Sequence, residues 1–142
     1  MKYFLESVKL IQLPHFIEDN GELVVIEAVK NAPFKIERVF VVKAPCNAVR
    51  GQHAHFKCTQ FLICCNGSVK ITCDDGREKK TFLLDRPNIG LLIPNSIWAE
   101  QNYIGDNSIL AVMCDLPYHE SDYMRRYEMF KEYRNKFQSE KG

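Results

Sequence analysis

Two histidines, His53 and His55, have a single residue between them in a segment with strand-like character. Side chains two residues apart on an extended strand share one face and lie roughly 6.5–7 Å apart, so both imidazoles can converge on one small molecule or one ion. Imidazole suits proton movement near neutral pH, because its unperturbed pKa is about 6.5. Arg50, just before the pair, adds a positive charge for an enolate oxygen or a ligand phosphate. These residue types predict proton abstraction next to a carbonyl, as in an isomerase or an epimerase.

A metal site is the other chemistry that this spacing suggests. From His53 the sequence reads H-x-H-x4-Q-x6-G, which resembles the first signature of the cupin superfamily, where two histidines and a glutamate bind a metal. Gln60 stands at the glutamate position, and Ala99 stands where the second cupin signature supplies the last histidine. A divalent ion needs three or four donors, ideally with a carboxylate among them. We therefore expect neither a metal nor another cofactor.

A more specific resemblance covers most of the chain, from about Glu18 to Tyr127. It is carried by the runs Arg50-Gly-Gln-His-Ala-His55 and Tyr118-His-Glu-Ser-Asp-Tyr123, with Gln60 and Asn66-Gly67-Ser68 between them. These runs resemble the sugar 3,4-ketoisomerases, metal-free cupins that act on TDP-4-keto-6-deoxyglucose. Their products lead to 3-amino-3,6-dideoxy sugars of bacterial surface glycans such as lipopolysaccharide. The resemblance implies an all-β cupin jelly roll, a TDP-linked keto sugar as substrate, and a homodimer formed by strand exchange.

The resemblance also implies roles for the two histidines. His53 would remove the proton from sugar C3, an enediol would form, and a proton would return at C4, leaving the ketone at C3. His55 would carry the proton between the two sugar oxygens, although the sequence allows the two roles to be exchanged. Gln60 and Trp98 are further substrate-binding candidates. Alternatively, Gln60 is a polar group whose hydrogen bonds are satisfied by the backbone, and Trp98 is a core residue.

Several positions depart from the family pattern. The family usually has a tyrosine where Phe40 stands, and Lys43 is our candidate for the missing polar group. Asn20 and Ala99 replace residues that line the sugar pocket in the family. The sequence therefore leaves open whether the new C4 centre has the gluco or the galacto configuration.

Other functions remain as alternatives. A nucleotide-sugar 3,5-epimerase also deprotonates carbon next to a ketone, but that family pairs its histidine with an aspartate and adds a tyrosine and a lysine. A non-catalytic sugar-binding cupin would tolerate the loss of the family tyrosine. A metal-dependent oxygenase is disfavoured by Gln60 and Ala99.

The elements that must position these residues are short strands separated by Gly, Asn and Asp turns, typical of a sandwich or barrel. We predict one cupin domain over residues 1–142, with a polar connection at 15–20 and a hairpin around Asn66-Gly67. A C-terminal helix is predicted over 121–139, capped by Ser121 or Asp122. Its aromatic packing face would include Tyr123 and Phe137. The predicted strands span residues 8–13, 22–27, 35–43, 50–55, 60–65, 68–73, 80–85, 89–93, 96–100 and 108–114.

Composition excludes some function classes. The formal net charge of +1 gives no electrostatic case for nucleic acid or for an anionic membrane surface. The chain begins without an apolar run long enough for a signal peptide, and no later segment resembles a membrane span. None of the six cysteines forms a CxxC pair, so we expect free thiols and a cytoplasmic location.

Overall fold

The structure, a computed structural model, describes the backbone of residues 3–141 and the side chains of residues 3–136. Short strands account for about half of it, and one α-helix follows them. The strands are β1 (Lys9–Gln12), β2 (His15–Glu18), β3 (Gly21–Val24), β4 (Arg38–Ala44), β5 (Val49–His55), β6 (Gln60–Asn66), β7 (Val69–Asp74), β8 (Lys79–Leu84), β9 (Ile89–Ile93), β10 (Trp98–Tyr103), β11 (Ser108–Cys114) and β12 (Tyr123–Met124), and the helix is α1 (Tyr127–Lys141).

The strands form two antiparallel five-stranded sheets. Their orders are β1-β9-β6-β11-β4 and β12-β5-β10-β7-β8, while β2 and β3 form a separate two-stranded sheet. One core lies between the two large sheets, with Leu62 and Leu110 from the first meeting Ile71 and Leu84 from the second. The predicted all-β jelly roll with a C-terminal helix is confirmed.

The turn at Asn66 and Gly67 is real, but the predicted hairpin is wrong. β6 pairs with β9 and β11, whereas β7 pairs with β8 and β10, so the turn carries the chain from one sheet to the other. Gly67 has φ +76°, and a Cβ there would collide with the Ser108 hydroxyl. An Asn-Gly pair reports a tight turn with positive φ, and it does not say which strands pair on either side.

The predicted start of the C-terminal helix, at residue 121, is also wrong. Ser121 and Asp122 lie in a short 3-10 turn, Tyr123 lies in β12, and α1 begins at Tyr127. Asp122 cannot cap a helix because its carboxylate accepts backbone N–H groups of the loop after β5 instead. Residues 15–20, predicted as a polar connection, contain β2, which pairs with β3 around the turn at Asn20.

The helix packs on the outer face of the second sheet. Phe130 is fully buried there against Trp98. Arg134 is also fully buried and donates to the carbonyl oxygens of Tyr3 and Ser96. Phe137, predicted as the last member of the aromatic face, lies outside the described side chains. Within residues 3–141, no helix combines the length and apolar character that a membrane-spanning segment needs.

Candidate active site

Strand β5 carries both histidines on its inward face. His53 lies opposite Ala99 of β10, and His55 lies opposite Tyr123 of β12. Their ring centroids are 5.0 Å apart and the ring planes are nearly perpendicular, at 89°. Both rings line one narrow cavity inside the barrel, together with Gln60 and Gln101. The two imidazoles therefore share one face and one cavity, as their spacing predicts.

A β-bulge at Gly51 and Gln52 decides where Arg50 stands. Both bulge residues have positive φ, +83° and +53°, and the pairing with β10 slips by one residue there. Strict alternation along β5 would put Arg50 on the opposite face from His53, whereas the bulge restores it to the same face, opposite Gln101. Arg50 is exposed to solvent, so its charge is available to a ligand.

Hydrogen bonds at Nδ1 fix the tautomer of both histidines. His53 Nδ1 lies 2.9 Å from the carbonyl oxygen of Gly51, and His55 Nδ1 lies 3.0 Å from Asp122 Oδ2. A carbonyl and a carboxylate can only accept, so each Nδ1 carries the hydrogen. In the neutral rings both Nε2 atoms are therefore unprotonated, and His55 Nε2 is buried without a partner in the described structure. Each ring presents a base and not an acid.

Burial keeps both rings neutral. It lowers the pKa of His53 below 6.5, although the hydrogen bond to Gly51 opposes the change. Burial, followed by the charge of neighbouring His53, lowers the pKa of His55 to about 4, and Asp122 only partly offsets this. At neutral pH the site therefore holds two unprotonated imidazoles, each able to accept a proton from a carbon acid.

Tyr123 completes the cluster, and the sequence analysis missed it by assigning it to the helix. Its ring centroid lies 4.3 Å from that of His55 and 5.0 Å from that of His53. Arg38 of β4 donates from Nη2 to the Tyr123 hydroxyl over 3.1 Å. Tyr123 belongs to the Tyr118–Tyr123 run that carried the family resemblance, which was the available signal for both Tyr123 and Asp122.

Two other predicted site residues line the histidine cavity, and a third packs against the core beside Arg38. Gln60 is buried and lines the histidine cavity, with its Nε2 directed at Cys114 Sγ at 3.6 Å. Ala99 lines the same cavity and offers no ligand atom. Phe40 packs against the barrel core and lies under the Arg38 guanidinium, 5.3 Å from the ring centroid.

Three predicted site residues lie away from the histidines of their own subunit. Lys43 alternates with inward residues of β4 and is exposed on the outer side. Trp98 is buried on the outer face of the second sheet, between β10 and α1, in contact with Tyr127 and Phe130. Asn20 lies at the turn of the β2–β3 hairpin and is exposed.

The described residues contain one group with metal-ligand atoms close together. Single ligand atoms of His55, Cys58 and Asp122 lie within 4.8 Å of one another. The Asp122 carboxylate is already occupied by the N–H groups of Lys57 and Cys58 and by His55 Nδ1. His53 is not part of the group, and the Asp122 carboxylate serves as a hydrogen-bonded anchor for His55.

Comparison with known proteins agrees with this geometry. The family model described as FdtA: WxcM-like, C-terminal matches residues 6–135. The chain is 37% identical over 134 residues to a TDP-4-oxo-6-deoxy-alpha-D-glucose-3,4-oxoisomerase from Aneurinibacillus thermoaerophilus, covering 94% of this chain and 96% of that protein.

Solved structures give the same result. QdtA, a sugar 3,4-ketoisomerase from Thermoanaerobacterium thermosaccharolyticum in complex with TDP, is 34% identical, covering 94% of this chain and 98% of QdtA with a TM-score of 0.90. A histidine-to-asparagine mutant of QdtA in complex with TDP-4-keto-6-deoxyglucose also has a TM-score of 0.90 at 34% identity, covering 94% and 97% of the two chains.

Proposed function

This chain belongs to the WxcM-like, C-terminal (FdtA) family, and on that premise we propose that it is a TDP-sugar 3,4-ketoisomerase. Its substrate in this proposal is TDP-4-keto-6-deoxyglucose and its product the 3-keto isomer, a precursor of 3-amino-3,6-dideoxy sugars. The observation that carries the proposal is the pair of neutral imidazoles, half-buried at His53 and buried at His55, whose Nε2 atoms are unprotonated and whose rings line one cavity.

The reaction needs two proton movements, and this pair suits both. His53 Nε2 accepts the proton from C3, and the resulting imidazolium returns a proton to C4, since a base that has accepted a proton is a suitable acid. His55 carries the proton from the C3 oxygen toward the C4 oxygen. Arg50 supplies positive charge for the nucleotide phosphates, and Gln60 hydrogen-bonds a sugar hydroxyl. No step of this proposed mechanism requires a metal.

The function is tested by incubating the protein with TDP-4-keto-6-deoxyglucose in heavy water and analysing the product by NMR after trapping with a 3-aminotransferase. We expect a ketone moved to C3 and one deuterium on carbon, because the proton removed from C3 exchanges with solvent while it resides on imidazole. The trapped product also gives the C4 configuration. A ketone that stays at C4 with inverted neighbours would identify a 3,5-epimerase, and absence of exchange would identify a sugar-binding module. Activity that survives EDTA dialysis supports metal independence, and a stoichiometric metal whose removal abolishes turnover contradicts it.

The rate should depend on pH in a way that reports the neutral imidazoles. An active base must be unprotonated, so kcat/KM rises with pH through the pKa of the free enzyme's base and then levels off. Burial lowers the pKa of both histidines below the usual 6.5, so we expect the acid limb to have its midpoint below pH 6.5. A midpoint at or above 6.5 in the pH profile of kcat/KM would contradict this.

The proposal includes a homodimer formed by strand exchange. β4 is an edge strand of the first sheet, and the β2–β3 hairpin is a separate two-stranded sheet, an arrangement that is marginally stable alone. Apolar side chains are exposed on both, among them Ile17, 73% exposed, and Val41, 64% exposed. Pairing of the hairpin with β4 of a second copy would cover both surfaces and carry Asn20 toward the other subunit's pocket.

Ile17→Asp should convert the dimer to a monomer, because a charge cannot be buried in an apolar interface without a partner. The matched control is Leu83→Asp, which alters a residue that is 52% exposed on β8 of the other sheet. Sedimentation equilibrium should give the dimer mass for wild type and control and the monomer mass for Ile17→Asp. A monomeric wild-type protein, or a dimer unaffected by Ile17→Asp, would contradict strand exchange through the hairpin.

We also propose a cytoplasmic location. All six cysteines are free thiols in the described structure, and Cys46 and Cys65 are exposed. Exposed free thiols persist in a reducing compartment. Cell fractionation should therefore recover the protein with cytoplasmic markers and with all six thiols reactive after denaturation.

A further inference from the structure

We propose that Tyr123, oriented by Arg38, is a third catalytic residue, whose hydroxyl donates a hydrogen bond and then a proton to the sugar carbonyl oxygen. The inference deepens the proposed function and rests on it. It arises from the separate observation that the Tyr123 ring lies against both histidine rings while its hydroxyl oxygen accepts a hydrogen bond from a guanidinium.

Strand pairing and a cation–π contact fix the position of the phenol. β12 pairs with the end of β5, which sets Tyr123 directly opposite His55 on the inward side. The Arg125 guanidinium lies over the Tyr123 ring, 4.3 Å from its centroid, and is itself held by two hydrogen bonds to Glu120. The ring thus contacts both Arg125 and His55, and these contacts restrict its rotation.

The engaged donors of the histidines and Gln60 favour a role for this hydroxyl. Removal of the C3 proton sends negative charge to the C4 oxygen, which needs a hydrogen-bond donor. Neither histidine can supply one at first, because both Nδ1–H groups are engaged and both Nε2 atoms are acceptors. The Gln60 amide nitrogen is directed at Cys114. Arg38 donates to the Tyr123 oxygen, so the phenolic hydrogen is left free to point at a ligand.

Three other side chains considered for this role are unsuitable. Phe40 has no hydroxyl, and its ring serves as a surface for the Arg38 guanidinium. Lys43 is on the outer side of β4. Tyr118 is exposed and donates its hydroxyl to Glu120, so it is not free to donate to a sugar. Tyr123 is the phenol nearest to the histidines in the part of the chain that the structure describes.

The proton balance closes with these groups. His53 takes the proton from C3 as the C3–C4 double bond forms, and Tyr123 gives its proton to the C4 oxygen, producing an enediol and a tyrosinate stabilised by Arg38. His55 then takes the proton from the C3 hydroxyl while C4 takes the proton held by His53, which leaves the ketone at C3. Transfer of the proton from His55 to the Tyr123 oxygen restores all three residues, and the rings of these two residues lie 4.3 Å apart.

The test compares Tyr123→Phe with Tyr118→Phe, each of which removes one phenolic oxygen. For Tyr123→Phe we expect kcat on TDP-4-keto-6-deoxyglucose to fall about 10²–10³-fold, the range for loss of one donor to a developing oxyanion. KM and TDP affinity by calorimetry should change less than about threefold, since the lost interaction forms mainly in the transition state. Deuterium incorporation at carbon should fall in parallel with kcat. Tyr118→Phe should retain wild-type kcat.

A double-mutant cycle tests the role of Arg38 as a positioning residue. Arg38→Gln alone should lower kcat, but it should add little in the Tyr123→Phe background, because the guanidinium acts through the phenol. Additive losses would assign Arg38 an independent role and overturn the orienting part of the inference. Wild-type kcat in Tyr123→Phe, or equal losses of kcat and melting temperature in Tyr123→Phe and Tyr118→Phe, would overturn the catalytic part. If the wild-type protein itself does not isomerise the sugar, the proposed function fails instead.

Discussion

His53→Asn is expected to lower kcat by roughly 10²–10⁴-fold, the usual contribution of one general acid–base group. The amide nearly preserves the shape of the side chain, and the nitrogen that accepts the C3 proton is lost. TDP affinity by calorimetry should stay near the wild-type value, because the nucleotide does not depend on that nitrogen.

The matched control for this change is His15→Asn. His15 is a partly exposed histidine of β2 whose Nε2 lies 3.2 Å from Glu22, and it does not line the histidine cavity of its own subunit. It should keep full activity. Loss of cooperative melting in His53→Asn, with His15→Asn intact, would instead identify His53 as a core histidine whose role is structural.

Asp122→Asn is the second large expected effect, about 10²-fold or more in kcat. An amide at this position places an NH₂ group among three donors, the N–H groups of Lys57 and Cys58 and His55 Nδ1–H. His55 can relieve the conflict by moving its proton from Nδ1 to Nε2, and it then no longer presents a base to the cavity. Nitrogen-15 NMR of the imidazole reports the tautomer directly.

Asp115→Asn separates this effect from simple loosening of the loop. Asp115 also accepts a backbone N–H, that of Thr59 at 2.8 Å, but it has no histidine partner. Both variants should lose about 1–3 kcal/mol of stability from an impaired side-chain-to-backbone hydrogen bond. Only Asp122→Asn should change the tautomer of His55 and the rate. Equal losses of activity in the two variants would reduce Asp122 to a structural role.

Local sequence patterns predicted the fold well because they depend on neighbours in the chain. Alternation and turn residues predicted ten of the strands, and the all-β architecture follows from them. Patterns could not say that Asn66-Gly67 joins two sheets, since strand pairing is a property of the whole barrel. They also missed β2, where the turn at Asn20 was recognised but the four residues His15–Glu18 show no alternation of polar and apolar side chains.

The candidate site was only half predictable for the same reason. The His53–His55 spacing is a local pattern and gave a shared face directly. Asp122 and Tyr123 reach the histidines through β12, which has only two residues and no periodicity to detect. Their aromatic and acidic character fits a helix start equally well. The bulge that turns Arg50 inward requires positive φ at Gln52. This conformation is uncommon for residues other than glycine, so a glutamine gives no sequence signal for it.

The pairing of β12 with β5 has a consequence for biosynthesis. His55 and its anchor Asp122 are separated by 67 residues, and synthesis proceeds from the N-terminus. A nascent chain that has already released all the strands of the barrel up to β11 still holds two histidines with no carboxylate and no phenol beside them. Asp122 and Tyr123, which complete the site in our proposal, are therefore synthesised near the end of translation. We expect a chain terminated before Asp122 to be inactive.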